Sequence, residues 1–375
     1  MKKIKTYALS LLLALFALPA FADDDLISEI IRLDEARRAE TQTLHVEYDS
    51  VAKFSNGKSI ESLGNVWEQL GEDKYRFRRK MQDSTYMRTF LDAMYNKDEL
   101  IDVISDVAVD ASVKYELIVP LDAFPVEEPL DLCKYRDYER DGYEGRIVKN
   151  PTDPWYTMWY PFIALHFPGC DRKVSPKDLV AKELFASYTP KRVEKIKNEA
   201  GDDVVQVEFD EENTDPMWPS LAHWTMTVDY NLSKGGLISK YTSVTVSIYD
   251  SFPPCCSEIT VTKFAEVRPG YWYPQERQGL HYNDDRNKAF VSTTTITNFT
   301  LNEPSSAQLG DVTFPAGLIV YETDKQTDKT TYHIWGEDGP ERTFTSGKEL
   351  NKYLRDNILK HGSFWRKVTL LLDTP

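Results

Sequence analysis

The stretch LISEIIRLDEARRAETQTLHVEYDSVAKFSNG, residues 26–57, changes its hydrophobic period partway along. Leu26, Ile27, Ile30, Ile31 and Leu33 recur at helical spacing, and the acids Asp23 to Asp25 ahead of them suit the positive end of a helix dipole. A helix is therefore expected over 26–39. From Leu44 the period is two: Leu44, Val46, Tyr48, Ala52 and Phe54 share one face, and His45, Glu47, Asp49 and Lys53 share the other. That pattern predicts a half-buried strand. Asn56-Gly57 then supplies the positive φ angles of a tight hairpin turn, and Gly71-Glu72-Asp73 supplies the next turn.

The same alternation returns in Val205, Val207 and Phe209, and again in Ala222, Trp224, Met226, Val228 and Tyr230. Further strands are expected near 237–249, 258–267, 271–281 and 289–301, separated by Lys234-Gly235-Gly236, Pro253-Pro254 and Pro269-Gly270. Their even spacing predicts an antiparallel meander and a mainly β fold. Between about 111 and 201 the pattern gives way to Pro-rich, aromatic text, which reads as an insertion or cover. A helix is expected inside it, with Ser175 as cap, Pro176 in the first turn, and Leu179, Val180, Leu184 and Phe185 on one face. The tail from Leu318 predicts a strand at 332–335 and a helix with Ser346 and Glu349 as a capping box ahead of Leu350, Tyr353, Leu354 and Ile358.

The chain has 375 residues and a net charge of −15, with 60 acidic against 45 basic residues, which argues against nucleic acid as a partner. Residues 1–22 read as an export signal: Lys2, Lys3 and Lys5 form a basic start, Leu11 to Leu18 an apolar stretch, and Ala20-Phe21-Ala22 a small-x-small cleavage site. No later window reaches the roughly 18 apolar residues of a membrane span, and no Cys stands at the junction to take a lipid. A soluble, periplasmic or extracellular protein beginning at Asp23 is expected. Four cysteines in an exported chain predict structural disulfides. Cys133, Cys170, Cys255 and Cys256 allow three connectivities, of which a Cys133–Cys170 bond is the expected element.

Catalytic signatures are missing: the sequence has no G-x-S-x-G, H-E-x-x-H, P-loop or G-x-G-x-x-G pattern, and its six histidines are scattered singly. No enzyme, cofactor or metal is expected. The informative feature is the run of large apolar side chains on one face of strand after strand. If the meander curves, those faces enclose either a filled core or a ligand cavity. Candidate cavity or cover residues are Tyr48, Phe54, Trp67, Phe77, Trp224, Met226 and Trp272, with Trp155 and Trp159 in the insertion; each reads equally well as core.

The opening helix, the strand Thr43 to Phe54 and its Asn56-Gly57 turn resemble the start of LolA/LolB-like periplasmic lipoprotein carriers and their outer-membrane lipoprotein-sorting relatives. Gly270-Tyr271-Trp272-Tyr273-Pro274 resembles the family's G-x-W-x-P strand. Asn298-Phe299-Thr300-Leu301-Asn302 and Phe314-Pro315-Ala316-Gly317-Leu318-Ile319-Val320 resemble its closing segment. The likeness spans 23–325, with the 111–201 insertion inside it and 326–375 as a C-terminal extension. It implies an unclosed antiparallel β-barrel capped by helices around a hydrophobic cavity. A periplasmic carrier of an acyl chain or other amphipathic ligand follows, such as the lipid moiety of lipoproteins, with envelope membrane proteins as a further class of partner. The alternative is a non-enzymatic envelope interaction module whose barrel is filled by its own side chains. The family's lid arginine has candidates in Arg76, Arg78 and Arg79, and no motif selects among them.

Overall fold

The computed structural model describes residues 24–55, 57, 59–70, 74–82, 102–110, 113–120, 123–124, 126, 128–140, 143–150, 181–212, 221–247, 255–282, 288–303, 312–363 and 366–367. The export signal at 1–22 and the Pro-rich run 151–161 lie outside them. In chain order the elements begin with α1 (24–40), β1 (Thr43–Phe54), β2 (Ser59–Leu70), β3 (Lys74–Gln82), β4 (Asp102–Asp110) and β5 (Val113–Pro120). There follow α2 (Tyr135–Arg140), β6 (Glu144–Lys149), α3 (Ala181–Ser187), β7 (Arg192–Lys197), β8 (Asp203–Glu212), β9 (Leu221–Asn231) and β10 (Leu237–Ser247). The chain continues through β11 (Cys255–Arg268), β12 (Tyr271–Tyr282), β13 (Lys288–Leu301), β14 (Ile319–Asp324), β15 (Lys329–Trp335), β16 (Pro340–Phe344) and α4 (Gly347–His361). The protein is mainly β, with open sheet edges at β7 and β16.

The chain divides into two units. The first comprises Met1–Thr41, Lys53–Ser55 and Thr157–Thr295; the second comprises Gln42–Ala52, Asn56–Tyr156 and Ile296–Pro375.

In the first unit the strands run β13-β12-β11-β10-β9-β8-β7, each antiparallel to its neighbour. Val205, Val207 and Phe209 on β8 stand opposite Tyr230, Val228 and Met226 on β9, and Val228 stands opposite Tyr241 on β10. These β-branched and aromatic residues suit a pleated surface and put one apolar face on the sheet. Ile30 of α1 and Ala181 and Leu184 of α3 bury it. The turn after β9 is built on Gly235 and Gly236, at φ +70° and +73°, and a Cβ at Gly236 would lie 3.0 Å from Leu33 Cβ. The left-handed backbone and the close approach of α1 both call for glycine here.

In the second unit the order is β16-β15-β14-β6-β5-β4-β3-β2-β1-β13. β5 and β6 lie inside the stretch read from sequence as an insertion, yet they extend the β3–β4 ladder in register, Asp106 opposite Leu117 and Leu117 opposite Gly145. β14 then pairs with β6 in parallel, Val320 opposite Gly145, a departure from the expected meander. A Cβ on Gly145 would lie 2.9 Å from side-chain atoms of both Leu318 and Val320, so the pairing depends on a missing side chain. β14 buries both faces: Leu318 and Val320 join Leu117, Val119, Ile147 and Phe314 on one, while Ile319 meets Ile334, Leu350 and Leu354 on the other. Leu350, Leu354 and Ile358 are the buried stripe of α4, as the sequence predicts. Its cap differs in detail. Ser346 Oγ accepts from the Glu349 N–H at 3.3 Å, but Glu349 Oε2 accepts from the N–H of Thr345 at 3.1 Å, one residue ahead of the cap.

Candidate functional site

The interface between α1 and the first unit's sheet changes character along its length. Leu26, Ile27, Ile30 and Ile31 of α1 pack, with Leu184 of α3, on the apolar face that includes Phe209, Met226 and Val228. Further along the same helix stripe come Asp34, Arg37 and Thr41. Asp34 is buried, and its carboxylate accepts from Arg37 Nη2 and, at 3.1 Å, from Arg38 Nε. Thr41 Oγ1 and the Tyr271 hydroxyl share a hydrogen bond of 2.7 Å. Arg268 bonds Glu40 at 2.7 Å and lies 5.4 Å over the Tyr271 ring, closing this end of the helix.

Tyr230 stands where the two halves meet. It is 2% exposed, its ring centroid is 6.2 Å from that of Phe185, and its hydroxyl has no hydrogen-bond partner among the described residues. Burial pushes the phenol far above its ordinary range, the Asp34 carboxylate adds to the rise, and Arg37 opposes it. The hydroxyl is therefore a neutral donor at any physiological pH.

The sequence-predicted residues divide between the units. Met226 is fully buried beneath α1 and α3. Trp224 precedes it on β9, opposite Glu211 and Thr245. Trp272 is half-buried, with Lys234 Nζ 3.8 Å from its ring centroid, a cation–π contact beside the Gly235-Gly236 turn. Phe54, also in the first unit, is buried at the end of β1. Tyr48 and Trp67 are buried in the second unit, and Phe77 stands opposite Trp67 in the β2–β3 ladder. Trp155, Trp159 and Cys170 lie outside the described residues. Cys133 carries a free thiol, and Cys170, its expected partner, lies outside the described residues. Its sulfur is buried against Ile358 and lies 3.7 Å from Asn357 Nδ2 of α4, and burial raises the thiol pKa. Cys255 and Cys256 lie on β11 opposite Thr245 and Val244.

Asp34 and Tyr230 are what sequence reasoning missed in this site. Asp34 falls four residues after Ile30, a charge in the apolar stripe, and that interruption is the signal. Tyr230 ends the apolar row of β9, where its ring reads as core and its hydroxyl is overlooked.

The second unit buries polar groups of another kind. His45 Nδ1 lies 2.9 Å from Glu68 Oε1 and its Nε2 lies 3.2 Å from Glu47 Oε1, which also accepts from Asn298 Nδ2 at 3.1 Å. Asp106 accepts from Arg76 Nε at 2.8 Å and from Arg76 Nη2 and Arg78 Nη2 at 2.6 and 3.1 Å. A cavity of about 20 Å³ beside Leu130, Tyr138, Tyr143 and Leu318 has room for one water and none for a chain of methylenes.

Among the described residues no helix is long and apolar enough to cross a membrane. No family model and no curated protein matches the chain. Solved structures do. One is described as an outer membrane lipoprotein-sorting protein domain from Vibrio parahaemolyticus, at 11% identity and TM-score 0.37, covering 74% of this chain and 94% of that one. A LolA superfamily protein from Nitrosomonas europaea is similar at 9% identity and TM-score 0.34, covering 74% and 94%. A DUF1329 family protein from Desulfovibrio piger is similar at 9% identity and TM-score 0.33, covering 75% and 93%.

Proposed function

We propose that the protein is a non-enzymatic periplasmic binding protein that holds an acyl chain, such as the lipid moiety of a lipoprotein, on the α1-covered face of the first unit's sheet. In this reading the sheet acts as an unclosed half-barrel, and α1 and α3 are its covers. The observation that carries it is the make-up of that face: Val205, Val207, Phe209, Met226 and Val228 form an unbroken apolar surface with no charged side chain, buried by two separate helices. In the absence of ligand such a face must be filled by the protein's own side chains. When the helices lift, an acyl chain takes their place, each CH₂ regaining about 0.8 kcal/mol of burial. An apolar fluorescent probe should then bind saturably, and lipid should co-purify from the native periplasm and be identified by mass spectrometry. A folded protein that binds no apolar probe and carries no lipid would end this reading.

A second reading is a filled interaction module that uses the same sheet as a scaffold. What favours it is the complete burial of Val205, Val207, Phe209 and Met226 already achieved without ligand. It predicts no probe binding at all.

A further inference from the structure

Within the α1 interface, apolar and polar halves succeed one another along one line, the layout of an amphiphile. Ile30 and Arg37 stand about 10 Å apart along the helix axis, and Met226, Val228 and Tyr230 span about 13 Å of β9. The polar ends coincide, because Tyr230 lies within the electrostatic reach of Asp34 and Arg37. At that junction the Tyr230 hydroxyl is buried and unpartnered among the described residues. Phenylalanine would fill the same apolar pocket without leaving a donor unmade, so the hydroxyl is a cost to the empty protein. The neighbouring Asp34 carboxylate is already held by Arg37 and Arg38.

We propose that Tyr230 donates its hydroxyl hydrogen bond to the acyl carbonyl oxygen of the bound ligand, the hydrocarbon chain running from there toward Met226 and Phe209. This deepens the acyl-binding reading above and rests on it. The phenol stays neutral and brings a hydrogen-bond donor with no positive charge, which suits an uncharged ester or amide carbonyl better than a multiply charged phosphate head.

The test displaces a bound diphenylhexatriene probe with methyl palmitate or with hexadecyl methyl ether, ligands of similar length that differ in the carbonyl. For the wild-type protein the ester should displace the probe at about five- to tenfold lower concentration than the ether. In Tyr230→Phe that preference should vanish while ether and probe affinity stay unchanged, and the variant should melt no lower than wild type, since it removes an unmade donor. An ester preference that persists in Tyr230→Phe overturns the inference and leaves the acyl-binding reading standing. So does a preference that is absent from the wild type while both ligands displace the probe. Failure of both ligands and of the probe to bind wild type removes the acyl-binding reading itself, and the inference with it. A variant that melts lower than wild type would show that the hydroxyl is partnered in the folded protein and would also overturn the inference.

Discussion

The first unit buries an apolar sheet face and leaves the charges of that face, such as Lys195 and Asp203, at its exposed edge, whereas the second unit folds charge into its interior. In the first, Val205, Val207, Phe209, Met226 and Val228 meet helices across an apolar seam, and the charged exception, Asp34, sits on the cover. In the second, Glu68, Asp106, Lys114 and His333 are buried on strands and held by side chains from neighbouring positions. The difference is one of replaceability. An apolar seam can exchange one set of methylenes for another at little net cost, while a buried ion pair tolerates only its own partner. In the carrier reading proposed above, the first unit admits the ligand and the second holds its shape.

The comparison breaks most readily at Asp106. It is 3% exposed and engages two guanidiniums, of which Arg78 is 40% exposed. Asp106→Ala should therefore lower stability in urea unfolding by about 3 kcal/mol, removing the buried carboxylate that half-buried Arg76 and the more exposed Arg78 engage. Apolar-probe affinity per folded molecule should not change. Met226→Ala should cost about 3 kcal/mol, because it opens a cavity in the buried cluster beneath α1 and α3. Under the carrier reading it should also accept probe at least as well as wild type, since the vacated space is ligand space; loss of probe binding in a folded Met226→Ala protein would favour the filled module.

The smallest expected effect is a pH dependence from the second unit. His333 is buried, with Nδ1 2.9 Å from Thr343 Oγ1, Nε2 3.4 Å from Thr331 Oγ1, and Glu322 Oε2 3.6 Å away, itself bonded by Lys149. Burial pushes its pKa below the ordinary 6.5, Lys149 lowers it further, and Glu322 opposes both. Below pH 6.5 the unfolded chain binds a proton that the folded His333 does not, so this residue's contribution is complete above 6.5 and is lost as pH falls. The stability difference between wild type and His333→Gln should accordingly shrink on acidification, and a difference that grows would contradict the assignment.

Much of α1, β1 and the first unit's strands was legible because one face of each is apolar and the other is wet. The alternation from Leu44 to Tyr48 maps onto buried positions of β1, and the helix expected over 26–39 is α1 over 24–40. The cap and stripe of α4 were legible for the same reason, local spacing. β5 and β6 were not, because both faces of Val113–Pro120 are packed and Lys114 is buried against half-buried Glu116, which erases the period-two contrast. The parallel β14–β6 pairing was illegible in principle, since nothing local in Ile319–Asp324 names a partner so far back in the chain. Asp106 and Lys114 mislead because a charged residue reads as solvent-facing until its counter-charge is placed. The cysteine expectation came from compartment and even count, and neither carries geometry: the neighbours of Cys133 are Ile358 and Asn357 of α4.

Hydrogen exchange followed by mass spectrometry, with and without saturating methyl palmitate, tests the central claim most directly. The account predicts faster amide exchange in α1 and α3 as the covers are displaced, retained protection in β8 to β10, and no change in β3 to β6 of the second unit. Saturation with no change in α1 and α3, or a change centred on β3 to β6, would contradict it.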